Sequence, residues 1–162
     1  MIKLVVMDVD GTLTDGQVYI GPKGEAMKSF SVQDGLRIKQ LPSVGVVTGI
    51  ITGRRSEIVT RRAKELGIAE VHKGVKDKGP ILRSLMDKYG FNSKQTAFIG
   101  DDENDLGCLE IVSHRACPVD AAPRVKAVCN FVSRKLGGKG AVREYLDALI
   151  EANLISAPAD RF

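Results

Sequence analysis

Leu4-Val5-Val6-Met7-Asp8-Val9-Asp10-Gly11-Thr12 sets four apolar residues directly against two carboxylates and a glycine. An uninterrupted apolar run of this length reads as a strand buried on both faces, the pattern of a parallel sheet. Charge is costly inside such a sheet and useful at its carboxyl edge, where open α/β folds bind their ligands. The stretch therefore predicts an α/β protein whose chemistry begins where the first strand leaves the core.

Outward from it, strand-like runs recur at Val44 to Ile51, Val71 to His72 and Ala97 to Ile99, and more weakly at Ala116 to Val119 and Phe131 to Val132. Helical patterns fill the gaps. Ser56 to Leu66 puts Ile58, Val59, Ala63 and Leu66 on one side, and Gly67 follows as a C-cap. Ile81, Leu82, Leu85, Met86 and Tyr89 repeat at helical spacing up to Gly90, Leu106, Leu109 and Val112 suggest a third helix, and Gly140 to Ala152 gives a fourth. Alternation of this kind predicts a doubly wound, Rossmann-like sandwich, its parallel sheet covered on both faces. Gln17 to Val32 departs from it by alternating through Val18 and Ile20, turning at Gly21-Pro22-Lys23-Gly24, and returning through Met27, Phe30 and Val32. This predicts a β-hairpin projecting close to the acidic pair. Residues 1–155 read as one domain and 156–162 as a loose tail.

With 43% hydrophobic and 27% charged residues in a chain of 162, the composition is that of an ordinary globular protein, and no apolar stretch approaches a membrane span. Met1-Ile2-Lys3 enters the first strand at once, without the apolar region of a signal peptide, so a cytoplasmic location is expected. Cys108, Cys117 and Cys129 are odd in number and lack C-x-x-C spacing, which argues for reduced thiols over a disulfide framework or a zinc site. A net charge of +4, with few aromatics and no dense basic face, argues against nucleic acid and suits a small anionic substrate. His72 and His114 have no partner at metal or triad spacing.

Four pieces end on or just after predicted strands: Asp8 with Asp10, Thr52-Gly53-Arg54, Lys78, and Gly100-Asp101-Asp102 with Asp105. In a doubly wound sheet they converge on one crevice. A dianionic phosphate ester repels an attacking carboxylate, so an aspartate nucleophile needs a bridging cation, and oxygen-only ligands favour Mg²⁺. Asp8 and Asp101 supply that setting. Asp10 can protonate the leaving alkoxide and then deprotonate the hydrolytic water, Thr52 can hydrogen-bond a phosphoryl oxygen, and Lys78 can neutralise charge and hold Asp8 in line. Arg54 and Arg62 suit a substrate carboxylate or hydroxyls through bidentate contacts, although Arg62 shares a basic helix face with Arg61 and Lys64 that also suits plain solvent. Lys139 among three glycines either presents a cation to an anionic substrate or marks a flexible join, and the segment is not a P-loop because Ser133 and Gly140 stand at its key positions.

In its four motifs, Asp8-Val9-Asp10-Gly11-Thr12, Thr52, Lys78 and Gly100-Asp101-Asp102-Glu103-Asn104-Asp105, the chain resembles the haloacid dehalogenase superfamily phosphatases. Asp15-Gly16, Val32-Gln33-Asp34-Gly35, Ile51-Thr52-Gly53-Arg54 and Gly137 to Glu144 narrow the resemblance to the cap-less branch that contains the 3-deoxy-D-manno-octulosonate 8-phosphate phosphatases. Gln33 stands where many members carry Arg. The resemblance implies a phosphorylated Asp8, Asp10 as general acid/base, and Thr52 and Lys78 as a phosphate clamp. It also implies Mg²⁺ held by Asp8, the Asp10 carbonyl and Asp101, with Asp102 and Asp105 close behind, and Gly53, Arg54, Arg62 and Lys139 on the substrate side. Further implications are a sugar-acid phosphate substrate, a homotetramer whose hairpins cover neighbouring sites, and a place in lipopolysaccharide precursor synthesis.

Spacing supports the missing cap. Only 43 positions separate Asp10 from Gly53 and 26 separate Thr52 from Lys78, too few for a lid of at least about 50 residues. Phosphatases for nine-carbon 2-keto sugar acid 9-phosphates are the nearest rival, and Arg54 in place of their Glu favours the octulosonate. A phospho-accepting receiver domain would order its aspartates differently, and a non-catalytic sugar-phosphate binder is disfavoured by the intact Asp8 and Asp10.

Overall fold

The computed structural model describes residues 1–159. Its centre is β1 (Leu4–Met7), flanked by β4 (Val47–Ile51) and β6 (Thr96–Ile99), both parallel to it. β5 (Glu70–His72) lies outside β4, and β7 (His114–Cys117) and β8 (Phe131–Val132) lie outside β6, giving the order β5-β4-β1-β6-β7-β8, parallel throughout. The chain thus builds one half of the sheet through β4 and β5, then crosses β1 to build the other. That switch point is where open α/β folds form their crevice.

Side-chain alternation along β1 feeds two cores. Val5 and Met7 join α1 (Val32–Gln40), α2 (Glu57–Leu66) and α6 (Ala141–Glu151) through Ile38, Val59, Ala63, Val142, Tyr145 and Leu146. Leu4 and Val6 face the opposite layer, where Leu82 and Leu85 of α3 (Lys78–Tyr89), Cys108 and Leu109 of α4 (Leu106–Leu109), and Val125 of α5 (Pro123–Val128) cover them. All four strand residues are sealed from solvent, which is why the run carries no polar residue.

Several boundaries differ from those predicted. Leu41–Val44 is a 3-10 turn closed by Gly45 in the left-handed region, so the β4 strand starts at Val47 rather than Val44. The strand predicted at Ala116 to Val119 starts at His114 and ends at Cys117, and Pro118 follows it, a residue that donates no ladder hydrogen bond. The third helix is a single turn, α4, with Val112 buried just beyond it. Residues 123–128 form a further helix, α5, with proline in its first turn. The hairpin is present as β2 (Tyr19–Gly21) and β3 (Gly24–Met27), antiparallel and separate from the main sheet. Its predicted return ends early: Ser31 caps α1 by accepting from Asp34 N at 3.3 Å, so Val32 opens a helix. Within the predicted tail, Ser156 to Ala159 carry no helix or strand, and 160–162 lie outside the described residues.

One long-range cap ties the layers together. Gly140 precedes α6 at φ +102 and has no side chain to cap it. Asp34, from α1, supplies the missing carboxylate by accepting Arg143 N at 2.8 Å. Burial raises the Asp34 carboxyl above its ordinary value, against the hydrogen bonds and arginines around it. Asp34→Ala removes this cap and is expected to cost about 1 kcal/mol, read as a fall in Tm of about 2–4 °C by calorimetry.

Candidate active site

The carboxyl ends of β4, β1 and β6 open into a cleft of about 310 Å³ lined by Asp8, Asp10, Gly16, Thr52, Gly53, Arg54, Asp101, Asp102 and Asn104. Asp8 is the first residue past β1 and is 5% exposed. Its amide still donates to Ile99 O at 3.0 Å, so the parallel ladder itself sets its height.

Lys78 opens α3 and has no exposed side-chain surface. Its ammonium bonds Asp8 Oδ1 at 2.6 Å and Asp105 Oδ1 at 2.7 Å. Burial works to lower its pKa, yet the two carboxylates hold the Lys78 ammonium above its ordinary value. The other Asp105 oxygen accepts from Asp101 N at 2.9 Å and Asp102 N at 3.3 Å. Both oxygens of Asp105 are therefore occupied with organising the loop. Asp102 accepts Glu103 N at 2.7 Å and starts the 3-10 turn Glu103–Asp105. Asp101 accepts Thr12 Oγ1 at 3.1 Å.

Two glycines make room for these carboxylates. A Cβ on Gly11, at φ +96, would sit 2.0 Å from Asp101 Oδ2, and one on Gly100 would sit 2.4 Å from Asp105 Oδ2. Burial, then the negative charges of Asp105 and Asp101, drive the Asp8 carboxyl well above the usual range despite Lys78. Burial, together with Asp105 and Asp102, pushes Asp101 up to about 6, against hydrogen bonds from Asp8 and Thr12. Ligand oxygens of Asp8, Asp101 and Asp105 lie within 4.8 Å of one another. A set of hard oxygen donors whose mutual repulsion opposes their own ionisation fits a small divalent cation such as Mg²⁺.

The predicted residues separate into two groups. Asp8, Asp10, Thr52, Gly53, Arg54, Asp101 and Asp102 line the cleft, with Lys78 and Asp105 buried beneath it. Arg62 and Lys139 do not line it. Arg62 lies over the Phe30 ring at 5.5 Å, bonds Ser31 O at 3.3 Å and Glu65 at 2.9 Å, and fills the space that Gly35 leaves open. Lys139 is exposed. The glycines beside it do the structural work: a Cβ on Gly137 would fall 1.8 Å from Gly11 O, and Gly138 N donates to Thr12 O at 3.0 Å. Gly137 to Gly138 is thus the seat on which the Asp8 to Thr14 loop rests. His72 bonds Glu70 at 3.3 Å and His114 reaches Lys94 O at 3.1 Å, both outside the cleft.

Three contributors stand outside the predicted site residues. Lys28, just past β3, is buried and pairs with Asp10 Oδ1. Glu25, on β3, accepts Arg54 Nε at 3.3 Å and Ser56 Oγ at 2.5 Å. Gly16 completes the cleft wall.

The sequence profile of haloacid dehalogenase-like hydrolases matches residues 64–146. The 3-deoxy-D-manno-octulosonate 8-phosphate phosphatase of Haemophilus influenzae is 41% identical over 151 residues, 93% of this chain and 84% of that protein. The protein of the same name from Escherichia coli is 36% identical, covering 93% of this chain and 80% of its own. The crystal structure of the Moraxella catarrhalis phosphatase of this name, in complex with magnesium ion, phosphate ion and a KDO molecule, superposes with a TM-score of 0.90. It is 41% identical and covers 93% of this chain and 87% of that one.

Gly137→Ala forces the seat against the backbone of Gly11, where no side chain can yield. Displacement of the loop on the scale of 1 Å is expected to lower kcat/KM by about 10²-fold, measured as steady-state phosphate release.

Proposed function

The chain belongs to the haloacid dehalogenase-like hydrolases, in the 3-deoxy-D-manno-octulosonate 8-phosphate phosphatase family, and we infer that it hydrolyses that ester to the free sugar acid and phosphate with Mg²⁺. The observation that carries this reading is the buried Lys78 set between Asp8 and Asp105 beside Asp101, at the carboxyl ends of β1 and β6. It is the arrangement an aspartate nucleophile needs: one oxygen pinned and charge compensation at hand.

The Asp8 and Asp101 carboxylates and the Asp10 carbonyl would hold Mg²⁺, with Asp102 and Asp105 organising the loop behind them. When bound, the ion offsets the repulsion between carboxylate and phosphoryl oxygens. Lys78 holds Asp8 Oδ1, so the remaining oxygen attacks phosphorus. The new Asp8–phosphorus bond forms as the bond to the sugar oxygen breaks, and Asp10 gives that oxygen its proton. Water then attacks the acyl phosphate, Asp10 takes back a proton, and phosphate leaves Asp8 restored. Thr52 donates its hydroxyl to a phosphoryl oxygen throughout.

Arg54, half-exposed at the cleft wall, is placed to read the substrate carboxylate or hydroxyls beside Gly53. Arg62 and Lys139 stand outside the cleft, so any hold they have on substrate runs through a neighbouring subunit. The hairpin supports such an assembly: Tyr19, Ile20 and Met27 are 47%, 68% and 55% exposed, and Val32 and Leu36 extend the apolar surface onto α1. A patch of this kind marks an interaction surface, and a homotetramer would use it to cover clefts that have no cap of their own. No helix among the described residues is long and apolar enough to cross a membrane. We place the enzyme in the cytoplasm, supplying lipopolysaccharide precursors, as a single domain over 1–155.

Asp8→Asn is expected to lower kcat by on the order of 10⁴-fold or more, while relief of repulsion with Asp101 and Asp105 leaves Tm unchanged or higher. In a phosphate-release panel with Mg²⁺, the octulosonate 8-phosphate should lead the nine-carbon 9-phosphates and the hexose phosphates; preference for a hexose phosphate would overturn the substrate. Sedimentation velocity should report a tetramer, and a monomer at assay concentration would remove the intersubunit cover.

A further inference from the structure

Lys28 is a buried cation outside the four motifs. Its side chain has no solvent exposure, and its ammonium meets two anions, Asp10 in direct contact and Glu25 at 3.6 Å. A charge in dry surroundings is held by its counter-ions, because leaving it unpaired costs several kcal/mol. Asp10 is 20% exposed at its side chain and stands on the turn after β1, where nothing else among the described residues hydrogen-bonds its carboxylate. Lys28 therefore decides which way Asp10 points.

The second anion extends the link. Glu25 also accepts from Arg54 and from Ser56, the residue just before α2. Against the burial that raises it, Ser56, Lys28 and Arg54 together hold the Glu25 carboxyl below its ordinary value. A continuous row of side chains, Asp10, Lys28, Glu25 and Arg54, thus joins the turn after β1 to the loop after β4 by way of the hairpin. It bypasses the carboxylates suited to the metal.

We propose that Lys28 is a positioning residue for the phosphatase reaction: it aims the Asp10 carboxylate at the leaving oxygen and, through Glu25, ties that aim to the seat of Arg54. The proposal rests on the hydrolytic reading above, with Asp10 as proton carrier. It gives the hairpin a task inside its own subunit in addition to any cover it lends a neighbour.

The test is a double-mutant cycle on the full-length protein with Mg²⁺, using Lys28→Met, Asp10→Asn and the pair. Proton transfer by a positioned side chain contributes about 10²–10⁴-fold, so Lys28→Met should lower kcat by roughly 30-fold or more, with KM nearly unchanged. If Lys28 works through Asp10, the double variant is no slower than Asp10→Asn alone, because residues acting in one unit are not additive. Losses that multiply, or a Lys28→Met kcat equal to wild type, would overturn the proposal. Lys28→Arg keeps the buried charge and guards against a folding failure: its Tm should match wild type and its kcat should fall between wild type and Lys28→Met. A kcat at the wild-type level in that variant would also count against the proposal. Mg²⁺ binding by isothermal titration calorimetry should be the same in wild type and both Lys28 variants, and a loss would move the effect to the metal site. Wild-type failure on the octulosonate 8-phosphate would defeat the substrate assignment, whereas the cycle can be read on whichever phosphate ester the wild type turns over.

Discussion

The acidic cluster beneath the cleft depends on one ammonium group. Lys78 lies under the sheet's carboxyl edge with no exposed side-chain surface and bonds to both Asp8 and Asp105. Without it, Asp8, Asp101 and Asp105 would face one another as uncompensated negative charge; removing one member of a buried pair of this kind typically costs about 3–5 kcal/mol. With it, Asp8 keeps a fixed orientation and Asp105 is free to use its second oxygen on the amides of Asp101 and Asp102. The residual repulsion, visible in the upward displacement of Asp8 and Asp101, is what a divalent cation would relieve. Stability and metal affinity are thus opposite sides of one electrostatic arrangement.

Close packing of backbone lets these charges meet. Gly11 and Gly100 leave the volume that the Asp101 and Asp105 carboxylates occupy, and Gly137 leaves the volume of the Gly11 carbonyl. The branch motifs Val32-Gln33-Asp34-Gly35 and Gly137 to Glu144, far apart in the chain, prove to be two halves of one clasp. Asp34 caps α6 while Gly137 and Gly138 support the loop after β1. Their work is to hold the catalytic turn at a fixed height.

Much of this was legible beforehand for a definite reason. Strands buried on both faces are mainly apolar, so β1, β4 and β6 announced themselves, and the aspartates after β1 and β6 stood out because charge next to such runs is costly. The short elements were harder. α5 is six residues long, too little for periodicity to separate from connection, and β8, only two residues, left just the weak signal of Phe131-Val132. Arg62 fitted a substrate role on residue type; within its own subunit it meets Phe30, Ser31 and Glu65 outside the cleft. Lys28 carried no signal at all: a lysine on the return leg of a hairpin usually faces water, and only the path of that hairpin across the sheet edge turns it onto Asp10.

The sequence by itself determined the layered α/β fold, the strand order of its carboxylates and the hard-oxygen character of the site, since each follows from local pattern and residue chemistry. Beyond the anticipated hold of Lys78 on Asp8, tertiary structure alone decided which polar groups meet. Lys78 with Asp8, Thr12 with Asp101, Asp34 with the start of α6 and Lys28 with Asp10 are separated by 70, 89, 109 and 18 positions. Contacts at such distances are set by how the chain crosses β1 and folds its hairpin back, and that geometry leaves no periodic trace along the sequence.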